Sequence, residues 1–151
     1  MISLKYNNAE ILFSLYHCHK TERTLEDEIK ILDIKRDDEI ALIPSQLVKS
    51  RYQIVQALLY YMISEKIRRR YRTRGICIAS LITGIRQIKD LTSILKKEYD
   101  RSDSYYVVCV NKGVEKCRET LNEKCREIPL SSLGEDLGAI VKNLREILEL
   151  I

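Results

Sequence analysis

Apolar positions change their period several times along this chain, and each change marks an element. Residues 10–18 alternate. Ile11, Phe13 and Leu15 fall on one face, and Leu12, Ser14 and Tyr16 on the other, which predicts a buried strand. Residues 22–34 place Leu25, Ile29, Leu32 and Ile34 among acids at helical spacing. A short apolar strand over 40–43 is stopped by Pro44. A helix is predicted over 45–70. Val48, Val55, Leu58 and Met62 mark one face, while Ile54, Leu59, Tyr60, Tyr61 and Ile63 fill much of the rest. A helix apolar nearly all round is buried by neighbours on several sides, so its middle belongs inside.

A short helix follows over 75–82, then another over 85–97 with Ile88, Leu91, Thr92 and Leu95 inward. Arg86, Lys89 and Asp90 face outward, together with Lys96 or Lys97. Residues 98–104 read as a polar loop. The unbroken β-prone run 105–110 predicts a central strand covered on both faces. Val114, Cys117, Leu121 and Cys125 make a helical stripe, and 126–129 a short edge strand. A last helix carries Leu137, Ile140, Val141, Leu144, Ile147, Leu148 and Ile151. Its apolar seam suits packing on the protein's own sheet, or a protein partner where part is left uncovered. Strands and helices interleave without repeats or linkers. The expectation is one mixed α/β domain of the α+β kind over 1–151, a small mixed or antiparallel sheet packed by several helices.

The 151 residues are enough for one real core, and 45% hydrophobic with 32% charged residues is ordinary for a soluble protein. Charge adds a sharper feature. The net charge is only +4, yet Lys66, Arg68, Arg69, Arg70, Arg72 and Arg74 crowd into nine positions, 66–74. Some of these cations complement the negative end of the long helix, and most charge runs are solvated surface. Six exceed what one helix end needs. Tyr71 between Arg70 and Arg72 adds an aromatic face to phosphate-binding groups, the combination used on single-stranded nucleic acid. One stacked base contributes about 1–3 kcal/mol, so such contacts give modest affinity alone.

Just beyond lies Thr83-Gly84-Ile85-Arg86-Gln87-Ile88. Gly84 marks a turn, and Thr83 reads as the N-cap of the next helix. Free backbone N–H groups at a helix start make an anion site. Arg86 in that first turn is opposed by the helix dipole; either an anionic partner offsets this, or the arginine is solvated at small cost.

Catalytic patterns are thin. No Gly-rich phosphate loop, G-x-S-x-G or H-E-x-x-H occurs. His17 and His19 flank Cys18 and share a strand face, which is half a metal site or simply a strand-end pair. Cys18 serves as a nucleophile only beside an activating base. No enzymatic activity, metal or cofactor is expected. The five cysteines, Cys18, Cys77, Cys109, Cys117 and Cys125, are odd in number and lack C-x-x-C, so no disulfide framework is expected. They read as small hydrophobes in a reducing compartment. With no signal-peptide pattern and no apolar run of spanning length, the expectation is a cytoplasmic protein without membrane contact.

The strand and turn Ala41-Leu42-Ile43-Pro44-Ser45, the long helix 47–67, the basic loop 70–73 with its threonine, the short apolar helix and the element Thr83-Gly84-Ile85-Arg86-Gln87-Ile88 together resemble one family. It is the small tRNA-binding, kinase-associated subunit of the KEOPS complex, whose animal counterpart is the PRPK-binding protein. This chain has Cys77 where the family commonly has an acid in the short helix, and Ile94-Leu95-Lys96-Lys97 where the family often has a Phe-Gly-Ile-like close. The resemblance implies a non-catalytic subunit that binds the kinase-like ATPase subunit and captures the tRNA 3′ CCA end. It thereby supports threonylcarbamoyladenosine formation in ANN-decoding tRNAs. The nucleic-acid-binding set it implies is Arg70, Tyr71, Arg72, Thr73, Arg74, Thr83, Gly84, Arg86 and Gln87. Gly84 would allow close backbone approach. Gln87 is either a donor to a base edge or a solvated residue. Two other readings stand beside it: a protein-interaction module for the ATPase that never touches RNA, and a small enzyme using Cys18 or the histidines. A second copy of the chain is a compatible partner.

Overall fold

The alternating segment forms the longest strand. In the computed structural model, which describes residues 1–6, 8–121 and 124–129, β2 spans Ala9–His19. It is preceded by β1 (Ile2–Tyr6), which pairs with it antiparallel from Ile2–Phe13 to Tyr6–Ala9. No strand was expected there. The signal was present in Ile2 and Leu4 alternating with Ser3 and Lys5 ahead of an Asn pair.

The other strands are β3 (Ile40–Pro44), β4 (Ser104–Val110) and β5 (Cys125–Glu127). The order is β1-β2-β4-β3, all antiparallel, with β5 on the free stretch of β2 beyond β1. β4 is central and buried, as its unbroken apolar run predicts. Pro44 is the last residue of β3, so the strand stops there as expected. An edge strand tolerates the missing N–H.

Among the described residues the helices are α1 (Leu25–Ile31), α2 (Arg51–Ile63), α3 (Glu65–Arg70), α4 (Arg74–Thr83), α5 (Ile88–Arg101) and α6 (Lys112–Thr120). α1 is shorter than the spacing suggests. A Thr24–Asp27 capping box starts it, and Ile29 and Ile31 stay exposed. The predicted helix over 45–70 is three pieces: a 3-10 turn at Ser45–Leu47, then α2 and α3. Two serines make the breaks. Ser50 Oγ accepts from Tyr52 N, capping α2. Ser64 adopts an extended backbone that ends α2, and its Oγ accepts from Ile67 N to start α3. The middle of α2 is buried as expected, with Ile54, Val55, Leu58 and Leu59 inside.

α5 reaches Arg101, through most of the segment expected to be a loop, and buries Tyr99 with Leu91 and Leu95, while Ile88 and Thr92 face solvent. The α6 stripe holds for Val114 and Cys117, but Cys125 lies in β5 rather than on a helix. The predicted final helix lies outside the described residues.

The helices cover both sheet faces. Antiparallel register partners share a face, so Tyr105, Val107 and Cys109 lie with Leu42 and Tyr16 on one side. There α6 is tied by the Cys109–Cys117 disulfide, and Tyr99 of α5 packs on Tyr105 at 5.5 Å. Glu28 of α1, nearly buried, pairs with Lys124 at 2.6 Å. On the other face α2 packs against β2. Ser45, in the turn ahead of α2, lies 3.5 Å from His17 Nε2 through its Oγ, and Tyr61 Oη donates to Glu39 Oε2, just before β3, at 2.6 Å.

The cysteine expectation is overturned. Cys18 and Cys125 form one disulfide and Cys109 and Cys117 another, leaving Cys77 as the buried free thiol. Sequence separations of 107 and 8 residues gave no recognisable spacing. Register and packing bring these sulfurs together. Among the described residues, no helix is long and apolar enough to cross a membrane.

Candidate nucleic-acid interface

The basic run is folded around the α3–α4 junction. α3 ends at Arg70, Tyr71 and Thr73 are extended on either side of a bend, and α4 begins at Arg74. Arg74 N donates to Arg36 O, and Arg36 Nε donates back to Arg72 O at 3.1 Å. This exchange draws the loop before β3 against the run. A polar cleft of about 300 Å³ results, lined by Arg36, Arg68, Arg69, Arg72 and Arg74 with Tyr71 and Asp37.

The cations differ in what already holds them. Arg68 stacks 5.6 Å over the Tyr61 ring and donates to the carbonyls of Tyr61 and Met62, closing the end of α2. Arg69 pairs with Glu65 at 2.7 Å, an exposed contact of small energy. Arg74 is half-buried and donates to Arg68 O. Arg70, Arg72 and Arg86 are exposed, and no described salt bridge engages them. Part of the run therefore completes a helix end, and part is free for an anion.

Beside this cleft lies an apolar cavity of about 490 Å³ between α1, β3, α4 and α5. Leu25, Ile29, Ile34, Ile76, Ala79 and Leu95 form much of its wall, with Thr73 at its edge. Arg36 and Arg72 line both spaces. Gly75 makes this closeness possible, because a Cβ there would sit 2.4 Å from Ile40 O.

The second predicted element is arranged differently from expectation. Thr83 is the last residue of α4, not an N-cap. Its Oγ1 donates to Ala79 O at 2.9 Å and accepts from Ile85 N. Gly84 is the left-handed C-cap at φ 76°, with Gly84 N donating to Ser80 O. That turn is one thing its glycine supplies. α5 starts only at Ile88, with Gln87 as an N-cap whose side chain makes no capping bond. Arg86 thus precedes the helix instead of lying in its first turn, where the dipole would oppose it.

Tyr71 joins the two elements. It is half-buried, its Oη lies 2.7 Å from Ser80 Oγ and 3.4 Å from Arg86 O. So the structure brings Tyr71, Arg72, Thr73 and Arg74 to the two spaces and connects Arg86 to them through Tyr71, while Arg70 ends α3 beside them and lines neither. Thr83, Gly84, Arg86 and Gln87 line neither space. Sequence reading missed Arg36. It sits beside Lys35 in the mixed-charge segment 33–38, far from the basic run in sequence, and only the hydrogen bonds to Arg72 and Arg74 place it.

Two other predicted groups can be located. Cys18 is in a disulfide, and burial pushes the Cys77 thiol up to about 11, which keeps it protonated. His17 and His19 do share a face, with ring centroids 6.1 Å apart, and no group of three metal-ligating side chains forms among the described residues.

No known family model matches this chain. A search of curated proteins likewise finds no match.

Proposed function

We propose that this chain is a non-catalytic subunit that binds the 3′ CCA end of tRNA and a kinase-like ATPase, supporting threonylcarbamoyladenosine formation in ANN-decoding tRNAs. The sequence resemblance motivates the choice of RNA. The observation that carries it is the junction at Arg36 and Arg72, the two side chains that line both an arginine cleft and the neighbouring apolar cavity. A single-stranded end presents that pairing of needs: phosphates that require cations, and unstacked bases that require apolar cover. The adjoining apolar groove, which shares Leu25, Ile29, Ile76 and Leu95, favours the second reading, a groove for a helix of the ATPase. Action in the cytoplasm requires both disulfides to persist there, as intracellular proteins of hyperthermophiles show to be feasible.

Binding of matched tRNAs with and without the terminal CCA tests the reading. Preference for the CCA-ended form, weakened by added salt and lost in Arg72→Glu, supports it. Equal binding of both forms refutes the tail site. ATPase binding without RNA binding selects the groove reading.

A further inference from the structure

At the end of the sheet where α2 begins, the described residues leave one face half-exposed, with His17 and Tyr106 partly buried and His19 and Arg126 exposed. His17 of β2 lies directly across from Tyr106 of β4 and Arg126 of β5, so the three share that face. The His17 ring rests on Tyr106 with centroids 4.9 Å apart. Its Nε2 is 3.5 Å from Ser45 Oγ, which is 2.7 Å from Ser104 Oγ. Arg126 and His19 are exposed, and Arg51 stands at the first position of α2.

Burial, then the charges of His19 and Arg51, hold His17 below the ordinary histidine range, so it is neutral at pH 7. The fixed cations of this patch are Arg51 and Arg126. Glu127, the neighbour of Arg126 in β5, points to the opposite face and takes the N-terminal ammonium at 2.7 Å. The first turn of α2 contains no acid, so Arg51 sits uncompensated at the positive end of a 13-residue helix. The cation-at-helix-start mismatch that the sequence suggests for Arg86 belongs to Arg51.

We propose that this patch is a second RNA contact, in which Arg51 and Arg126 hold backbone phosphates and the His17–Tyr106 pair with Ser45 and Ser104 offers neutral donors and a flat surface between them. The inference rests on the RNA reading above and extends it to the stem behind the tail. The patch lies at one end of α2, and the arginine cleft follows the other. Thirteen residues at 1.5 Å each put about 20 Å between them. At about 3.4 Å per step of a stacked strand, that is about six nucleotides. A stacked three-nucleotide tail in the cleft covers about 10 Å, half of that distance, and the attached helical stem covers the rest.

The test compares the parent chain with the Arg51→Glu/Arg126→Glu variant. Three RNAs are used: whole tRNA, the same tRNA without CCA, and a short single strand ending in CCA. Deprived of both phosphate-binding arginines, the variant should bind whole tRNA about 10-fold more weakly at low salt, and the salt slope should shrink by about 2. Binding of the short strand should be unchanged, and an Arg51→Lys/Arg126→Lys variant should restore most of the affinity. Melting temperature checks the fold, and an Arg51→Gln/Arg126→Gln variant separates removal of the cation from added repulsion. Unchanged tRNA binding overturns the proposal, as does equal weakening of tRNA and short strand, which indicates a general field. Loss of ATPase binding with tRNA binding intact assigns the patch to an acidic protein surface instead. If the parent shows no preference for CCA yet the variant still weakens tRNA binding, the tail site fails and the stem contact stands.

Discussion

The Tyr71 hydroxyl lies 2.7 Å from Ser80 Oγ, and the Ser80 hydroxyl in turn donates to Ile85 O at 2.7 Å. This chain of contacts fastens the end of the basic helix α3 to the turn after α4. It uses the polar end of an aromatic that the sequence offers as a stacking platform. Tyr71→Phe separates the two roles, because it keeps the ring and removes the tie. The expected result is a loss of about 1 kcal/mol in stability by denaturant titration, with RNA binding reduced several-fold as the junction loosens. Unchanged RNA affinity with lower stability would assign Tyr71 a purely structural tie.

Arg72 and Arg86 should respond differently to charge reversal. Arg72 lines both the cleft and the cavity, so Arg72→Glu should weaken CCA-ended RNA at least about 10-fold, by removing a cation and adding a repulsion. Arg86→Glu should leave stability within about 0.5 kcal/mol, since the residue is exposed and precedes α5. Its binding loss should be the smaller of the two. Filter binding of both variants against one RNA ranks them.

The two disulfides should be unequal in energy. A cross-link constrains the unfolded chain more as its loop lengthens. The 107-residue separation of Cys18–Cys125 predicts about 5 kcal/mol, and the 8-residue separation of Cys109–Cys117 about 2.5 kcal/mol, in the chain-entropy view. Paired serine substitutions, compared by denaturant midpoint, should show the larger loss for Cys18/Cys125. Intact mass without reductant should lack two hydrogens per bond. A mass equal to that of the fully reduced chain overturns both pairings.

Gly75 and Gly84 are needed for different reasons. A Cβ at Gly75 would strike a backbone oxygen of β3 at 2.4 Å, so Gly75→Ala should cost about 1–3 kcal/mol and disturb the cavity wall. At Gly84 no atom lies within 4 Å of such a Cβ, and only the positive φ resists, at about 1–2 kcal/mol. Gly84→Asn, which tolerates that backbone, should recover much of the loss, whereas Gly75→Asn should not. Thermal melts of the four variants decide.

The depressed His17 sets a pH dependence. The folded state resists protonating this imidazole more than the unfolded chain does, so the unfolded state binds the extra proton. Stability is therefore full above the ordinary histidine value of 6.5 and falls as pH drops below it. His17→Gln should flatten the stability profile between pH 6.5 and the onset of carboxylate titration. A profile unchanged by the substitution would place the acid sensitivity elsewhere.

Period and composition were sufficient for the strands at 10–18, 40–43 and 105–110 and for the buried middle of α2, because burial on a sheet or inside helices leaves a repeating apolar trace in the chain itself. The basic run was equally plain, since like charges close in sequence are close in space. The rest depended on distance across the fold. Ser50 and Ser64 turn one apolar stretch into separate helices because their hydroxyls accept backbone N–H groups, a choice that helical periodicity does not record. Thr83 ends a helix instead of beginning one, because the left-handed turn at Gly84 follows it. Arg36 reaches the site through its guanidinium bond to the Arg72 carbonyl across 36 residues, and Cys18 meets Cys125 through strand register across 107. Local interactions write themselves into local sequence, whereas a contact between distant segments exists only once the sheet and its helices have set the separation of their ends.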